Sequence, residues 1–389
     1  MNGMRIALFA SMDNSLYSSR LMLMKRLVER GATVYAIAPP GRVSDRFAEH
    51  GITFVPFPLD RATLNPAHLW GQIRSVRRII GHLDLDLLHS FSLRLNACAG
   101  LAVRRDGVLS TIATVTGLGS LYAEGTGVVD RGRRLGVSTA MRMAFRHTSV
   151  VVFQNPDDME LFTRQGVCRN DQAHLIVSSG VDTNRYSRAA VGADAGGRLR
   201  AAWGIAPDEV VVLMASRFIK QKGILEFRQA ARQLAGRARF VLLGAPDSGN
   251  PHAMTQQDLQ EDVETGILLA PGFQTNVPEW LSMADVFAYP SYYREGVPRV
   301  VLEAMSMQLP IITTDSPGCR ETVIPEENGL LIPTRDSRAL VDAIERLISN
   351  REERLRFGKR ARELAEARFD LREITSRYME LYERLLDRR

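Results

Sequence analysis

Cysteine is scarce. Cys98, Cys168 and Cys319 are the only three in 389 residues, far apart in the chain and odd in number. That argues against a disulfide framework, offers no metal-ligand spacing and fits a reducing compartment. Long apolar runs are missing too. No stretch reaches the roughly 18–20 residues that a membrane-spanning helix needs. The apolar run in "MNGMRIALFASMD" is too short for a signal-peptide core and has no small-residue cleavage pattern, so it reads as a first strand. Low-complexity segments and short repeats are absent, as are H-E-x-x-H, G-x-S-x-G and a Walker lysine loop. A D-x-D stands at Asp84-Leu85-Asp86, but it precedes a strand and lies on the entry side rather than the ligand side. It reads as structural, and no metal site is expected.

What is present is an ordinary globular composition, 45% hydrophobic and 24% charged, long enough for two domains of about 150–200 residues. The net charge of +6 is uneven. Residues 1–190 hold 23 Lys+Arg against 15 Asp+Glu, and residues 191–389 hold 27 against 29, so the halves carry +8 and −2. Three patches concentrate the excess: "RSVRR" (74–78), "VRR" (103–105) and "DRGRRLGVSTAMRMAFRH" (130–147). Such patches suit solvated helix faces or an anionic lipid surface. Aromatic residues are not interleaved there, so nucleic acid is not an expected partner.

Apolar runs alternate with helical patterns throughout. In the first half they are "RIALFAS" (5–11), "ATVYAIAPP" (32–40), "ITFVPFP" (52–58), "LDLLHSFS" (85–92), "LSTIATVTG" (109–117), "SVVVFQN" (149–155) and "HLIVSSG" (174–180). In the second half they are "EVVVLMAS" (209–216), "RFVLLGA" (239–245), "GILLAPG" (266–272), "DVFAYPS" (285–291) and "LPIITTD" (309–315). This predicts two α/β domains built on parallel sheets. The Ala/Gly-rich "AAVGADAGGRLRAAWG" (189–204) is the linker candidate, and "NGLLIP" (328–333) reads as a turn.

Four strand-end loops carry candidate chemistry. "ASRFIKQKG" (215–223) places Arg217, Lys220 and Lys222 after a strand, with Gly223 opening a helix; a phosphate fits there, and so does a plain basic loop. "SYYREGVPRVVLEA" (291–304) holds Glu295 just before a helix, Gly296 for close backbone approach, Pro298 at the helix mouth and Glu303 inside the helix. Eight residues span roughly 12 Å if helical, too far for a glycosidase carboxylate pair but suited to one extended ligand. "TDSPGCRETV" (314–323) offers a helix start at Gly318. In the first half His89 ends "LDLLH", where a lone histidine is more often structural. "TVTGLGS" (114–120) is a flexible loop with Thr116, Gly117 and Gly119.

"ASRFIKQKG", "YREGVPRVVLEAMSMQLPIITTDSPGCRETV" and "NGLLIP", taken together, resemble the retaining glycosyltransferases of family 4, which have the GT-B fold. With "TVTGLGS" upstream, the chain looks most like the N-acetylgalactosaminyltransferase subgroup that extends undecaprenyl-diphosphate-linked sugars. The resemblance covers nearly the whole chain and is strongest over 209–350. It implies two Rossmann-like domains facing across a cleft. An acceptor-binding domain would span 1–188 plus a returning C-terminal helix, 371–389, and a nucleotide-sugar-binding domain 189–370. It implies that Arg217 and Lys222 hold the donor diphosphate, and that Glu295 touches the donor sugar. Glu303 would bond the ribose, with the backbone of Gly296, Val297 and Pro298 facing sugar and phosphates. His89, Thr116, Gly117 and Gly119 fall on the acceptor side. A UDP-sugar is the expected donor and a lipid-linked glycan the acceptor, with no cofactor or metal. The site is expected to be cytoplasmic, at the inner face of the membrane. The family's Gly-Gly turn after the first strand is here "SMDNSLYSSR". A sugar-nucleotide epimerase or hydrolase and a non-catalytic nucleotide-sugar-binding protein are the alternatives.

Overall fold

A computed structural model describes residues 1–59, 66–103, 109–119, 122, 127–192, 194–247, 250 and 252–387. Arg104 and Arg105 of the "VRR" patch lie outside the described residues. The chain forms two compact units. The first comprises Met1–Ser179, the tripeptide Glu295–Val297 and Leu371–Arg389; the second comprises Gly180–Arg294 and Pro298–Asp370.

The first unit is built on a seven-stranded parallel sheet: β1 (Arg5–Phe9), β2 (Thr33–Ala38), β3 (Ile52–Pro56), β4 (Leu87–Phe91), β5 (Ser110–Val115), β6 (Val150–Phe153) and β7 (Ala173–Leu175), in the order β3-β2-β1-β4-β5-β6-β7. Its helices are α1 (Asp13–Ser19), α2 (Leu21–Glu29), α3 (Pro66–Leu83), α4 (Leu93–Ala102), α5 (Val128–Phe145) and α6 (Pro156–Arg164). The strands are apolar at successive positions because both faces are covered. Ile6 and Leu8 of β1 pack with Leu23, Met24 and Leu27 of α2, while Ala7 and Phe9 point the other way, toward Phe57, Ile73 and Val76.

The second unit repeats the plan with six parallel strands: β8 (Val211–Ala215), β9 (Arg239–Leu243), β10 (Leu268–Gly272), β11 (Val286–Tyr289), β12 (Ile311–Thr314) and β13 (Gly329–Ile332), ordered β10-β9-β8-β11-β12-β13. Its helices are α7 (Arg188–Val191), α8 (Ala195–Ala202), α9 (Ile224–Gln233), α10 (Gln260–Glu264), α11 (Val277–Met283), α12 (Arg299–Ser306), α13 (Ser337–Ser349) and α14 (Arg351–Phe369). The last helix, α15 (Leu371–Leu386), belongs to the first unit, where Ile374, Tyr378 and Tyr382 join the cluster around Ile6 and Leu8.

Both sheets reverse their winding at one place, between β1 and β4 and between β8 and β11. In open parallel sheets, ligands bind outside the carboxyl ends of the strands at such a switch point.

Three local expectations are corrected. "NGLLIP" is the edge strand β13, paired in parallel with β12 from Ile311↔Gly329 to Thr314↔Ile332. Gly329 is needed there because a Cβ would stand 2.0 Å from the Ile311 carbonyl oxygen. The 189–204 stretch is not a linker. It contributes to α7 and forms α8 within the second unit, with Arg200 bonded to the Met283 carbonyl and Asp285. Gly318, at φ 83°, does not start an α-helix; only one 3-10 turn, Arg320–Thr322, follows it.

Candidate active site

In the second unit the loops after β8 and β11 meet at the switch point. Gly223 sits at φ 81°, and a Cβ there would come 2.2 Å from the Pro290 carbonyl oxygen, so only glycine lets the two loops approach this closely. The backbone N–H groups of Tyr292 and Tyr293 donate to the Gln221 carbonyl at 2.9 and 3.0 Å. Lys222 is held between these loops. Its Nζ donates to the Tyr289 hydroxyl at 2.8 Å and lies 4.9 Å from the centre of the Tyr293 ring. It is only 5% exposed, a buried cation at the carboxyl ends of two central strands. Beside it, Gln221 is fully buried and neither side-chain amide atom has a hydrogen-bond partner.

Arg217 follows β8 by two residues but is situated differently. Its side chain is half exposed and forms an ion pair with Asp247, on the loop after β9. Any anion that Arg217 receives must compete with that carboxylate.

Further along, Pro298 stands at the N-cap of α12 rather than within its first turn. Glu303 lies inside the helix and is 8% exposed. Arg299 Nη2 donates to its Oε1 at 3.2 Å. Burial pushes the Glu303 carboxyl above its ordinary value, and the Arg299 charge and a hydrogen bond from Tyr186 pull it back. Tyr186 is itself fixed through its carbonyl, which accepts from Ser306 Oγ at 2.6 Å and Arg362 Nη1 at 2.8 Å.

The tripeptide Glu295–Val297 lies on the carboxyl ends of β5 and β6 in the first unit. Gly296 N donates to the Thr116 carbonyl at 2.9 Å, and Asn155 Nδ2 donates to the Glu295 carbonyl at 3.3 Å. Gly117, at φ 115°, is pressed against this backbone: a Cβ would stand 2.5 Å from Glu295 Cα. Val297 is buried, and Gly119 turns the chain at φ 72°. Thr116, Gly117 and the Glu295–Val297 backbone are therefore brought together, and Gly117 is a glycine for steric reasons.

His89 is not offered to an acceptor. It is 0% exposed in the middle of β4's buried run, with Nδ1 2.5 Å from the Tyr382 hydroxyl and Nε2 2.6 Å from Thr114 Oγ1. Burial, and then the charge of Arg20, hold its imidazole well below the ordinary value, so it stays neutral. It ties α15 to the sheet.

Asp84 and Asp86 are at the amino ends of the strands. Asp86 accepts from the Arg5 backbone N–H at 2.8 Å, and Asp84 forms an ion pair with the Arg5 side chain at 3.2 Å. Among the described residues no group of three His, Cys, Asp or Glu side chains is placed to hold a metal ion.

Sequence reasoning missed Tyr289, Asp247, Tyr186 and Asn155. Asn155 alone had a local signal, Asn-Pro-Asp at a helix start, and it does cap α6 by accepting from Asp158 N at 2.8 Å. Its contact with Glu295 had no sequence signal.

Two family models match the chain. Glycosyltransferase Family 4 matches residues 21–185, and Glycosyl transferases group 1 matches residues 197–364. The N,N'-diacetylbacillosaminyl-diphospho-undecaprenol alpha-1,3-N-acetylgalactosaminyltransferase of Campylobacter jejuni is 27% identical over 385 residues, 98% of this chain and 99% of that protein. Among solved structures, sucrose-phosphate synthase from Thermosynechococcus elongatus superposes with a TM-score of 0.81 at 22% identity, covering 99% of this chain and 100% of the other. Anabaena HepE in complex with UDP superposes with a TM-score of 0.77 at 20% identity, covering 98% and 100%. At these identities the structural likenesses carry the fold.

Proposed function

Because the chain belongs to the family 4 glycosyltransferases and has their GT-B fold, we propose that it moves an N-acetylhexosamine such as GalNAc from a UDP-sugar to a polyprenyl-diphosphate-linked glycan, with retention and without a metal. That it is a glycosyltransferase of lipid-linked glycan or polysaccharide assembly is the premise; donor, stereochemistry and metal independence are the proposal. The observation that carries it is the buried Lys222 at the switch point of the second sheet.

Breaking the sugar–phosphate bond moves an electron pair onto the leaving diphosphate. A fixed cation in a water-poor site stabilises that charge where it develops. Lys222 is such a cation, with Arg217 as a second, outer one once Asp247 yields it. The acceptor hydroxyl forms the new glycosidic bond, and its proton passes to an oxygen of the departing phosphate, so no protein nucleophile is needed. Glu295 is assigned to the sugar hydroxyls and Glu303 to the ribose. The name of the Campylobacter relative, a GalNAc transfer to a diphospho-undecaprenol-linked sugar, supports the choice of substrates.

The test is UDP release from a panel of UDP-sugars, with and without a polyprenyl-diphosphate-linked acceptor, in EDTA. Acceptor-dependent release that survives EDTA is expected. Loss restored by Mg²⁺ or Mn²⁺ would contradict metal independence, and release that ignores the acceptor would favour a hydrolase.

A lipid-linked acceptor stays in the bilayer, so the first unit should reach an anionic surface. Of the three basic patches, 103–105 lies mostly outside the described residues, and of the other two α3 is the poorer. Arg77 is engaged with the carbonyls of Leu101 and Ala102, and Val76, Ile79 and Ile80 pack inward. On α5, Val128 is 86% exposed and Leu135 67%, and helical spacing puts Arg131 on their face; Arg133 forms an exposed ion pair with Asp130, and Arg134 lies over the Tyr122 ring. Basic residues near an anionic surface contribute about 1 kcal/mol each. Reversing the charge of all three arginines should therefore weaken vesicle sedimentation at low salt by at least ~100-fold. Among the described residues no helix is long and apolar enough to cross a membrane.

A further inference from the structure

The first sheet has a cavity at its own switch point, of about 220 Å³, formed within the first unit where β1 and β4 end. Five serines line it, among them Ser11, Ser15, Ser19 and Ser92, together with Arg20 and Gln154. Arg20 is only 5% exposed. Its guanidinium is 4.6 Å from the centre of the Phe91 ring and 5.2 Å from that of Tyr378. A buried cation costs several kcal/mol unless its surroundings compensate, and the two aromatic faces supply part of that compensation. Gln154 is 4% exposed, and its Nε2 has no hydrogen-bond partner. Ser92 adopts φ 85° and ψ 148°, a region nearly restricted to glycine, and opens α4 without capping it. Such backbone costs about 1–3 kcal/mol and persists where the surroundings impose it.

A buried guanidinium, a set of hydroxyls and an amide N–H without a partner form a donor-rich site. Its volume lies below the roughly 300–1,000 Å³ of pockets for drug-sized molecules and suits a phosphoryl group. We infer that this cavity binds a phosphoryl group, and that it is the diphosphate of the lipid-linked acceptor. The assignment to the acceptor rests on the proposed function. The donor's diphosphate already has Lys222 and Arg217 in the second unit. Arg20 would then be a specificity residue, favouring acceptors that carry their sugar on a diphosphate over neutral glycosides.

The experiment has two arms. In the first, inorganic pyrophosphate is titrated calorimetrically into the full-length protein saturated with UDP. Binding is expected, weakened at least tenfold in Arg20→Gln and in Gln154→Leu and partly restored in Arg20→Lys, with UDP affinity unchanged in all three. In the second, KM is compared for a polyprenyl-diphosphate-linked glycan and for the same glycan on a neutral alkyl chain. Arg20→Gln should raise KM at least tenfold for the first acceptor only. The inference is overturned if UDP-saturated protein takes up no pyrophosphate, if Arg20→Gln weakens UDP itself, or if both acceptors suffer equally. Should no lipid-linked acceptor be used while pyrophosphate binding still depends on Arg20, the phosphoryl site stands and the proposed acceptor falls. If Arg20→Gln does not fold, Gln154→Leu carries the same comparison.

Discussion

Lys222→Ala lowers turnover with a UDP-sugar by about 10²–10³, the loss typical of removing one fixed donor to a developing negative charge. The side chain is buried and directed by the Tyr289 hydroxyl at 2.8 Å, so its charge is neither screened by water nor free to wander. Arg217→Ala should cost less, because that guanidinium is half exposed and already shared with Asp247. Tyr289→Phe should fall between wild type and Lys222→Ala, since it leaves the cation in place without its guide. Single-turnover rates at saturating donor separate these effects from substrate affinity. Near-native rates in Lys222→Ala would remove this lysine from the mechanism.

Gly117→Ala should be nearly as damaging, although residue 117 adds only a methyl group. That methyl would stand 2.5 Å from both the Cα and the carbonyl carbon of Glu295, and φ 115° is strained for any side chain. The Glu295 backbone must therefore shift, and an ångström of misplacement near the reacting sugar can cost about 10²-fold. Turnover should drop by that order while UDP affinity changes little. Glu295→Ala should behave alike, whereas Glu303→Ala should weaken UDP binding itself. Calorimetry with UDP alone distinguishes the two classes. Intact turnover in Gly117→Ala would show that the position of Glu295 is unimportant.

Much of this fold was legible because buried parallel strands have a simple signature. "IALF", "VVLMA" and "VFAY" are uninterrupted apolar runs, and each lies in a central strand. β13 is harder to read because it is four residues long and its first residue, Gly329, follows Asn328 in a turn-like Asn-Gly; here the glycine serves close approach to β12. The Ala/Gly-rich 189–204 segment reads as a linker in sequence because the same small residues that mark linkers also mark tight packing. A Cβ on Gly196 would meet the Ser282 carbonyl oxygen at 2.7 Å. The candidate cations and carboxylates were legible from their places at strand ends. Their partners were not. Tyr289 is 67 residues from Lys222 and Tyr382 is 293 residues from His89, so only the folded chain reveals that one residue is poised and the other enclosed. The apolar residues of α3 illustrate the same limit: an amphipathic helix fits a membrane or a protein core equally well, and Ile73 and Val76 face the core.

Transfer with retention from a UDP-sugar to a polyprenyl-diphosphate-linked glycan is tested most directly by isolating the product formed from UDP-GalNAc in the presence of EDTA and reading the configuration of the new anomeric centre by NMR. An α-linkage, matching the donor, is the predicted result. A β-linkage, or a product formed only when a divalent metal is restored, would contradict the mechanism proposed for Lys222 and the leaving diphosphate.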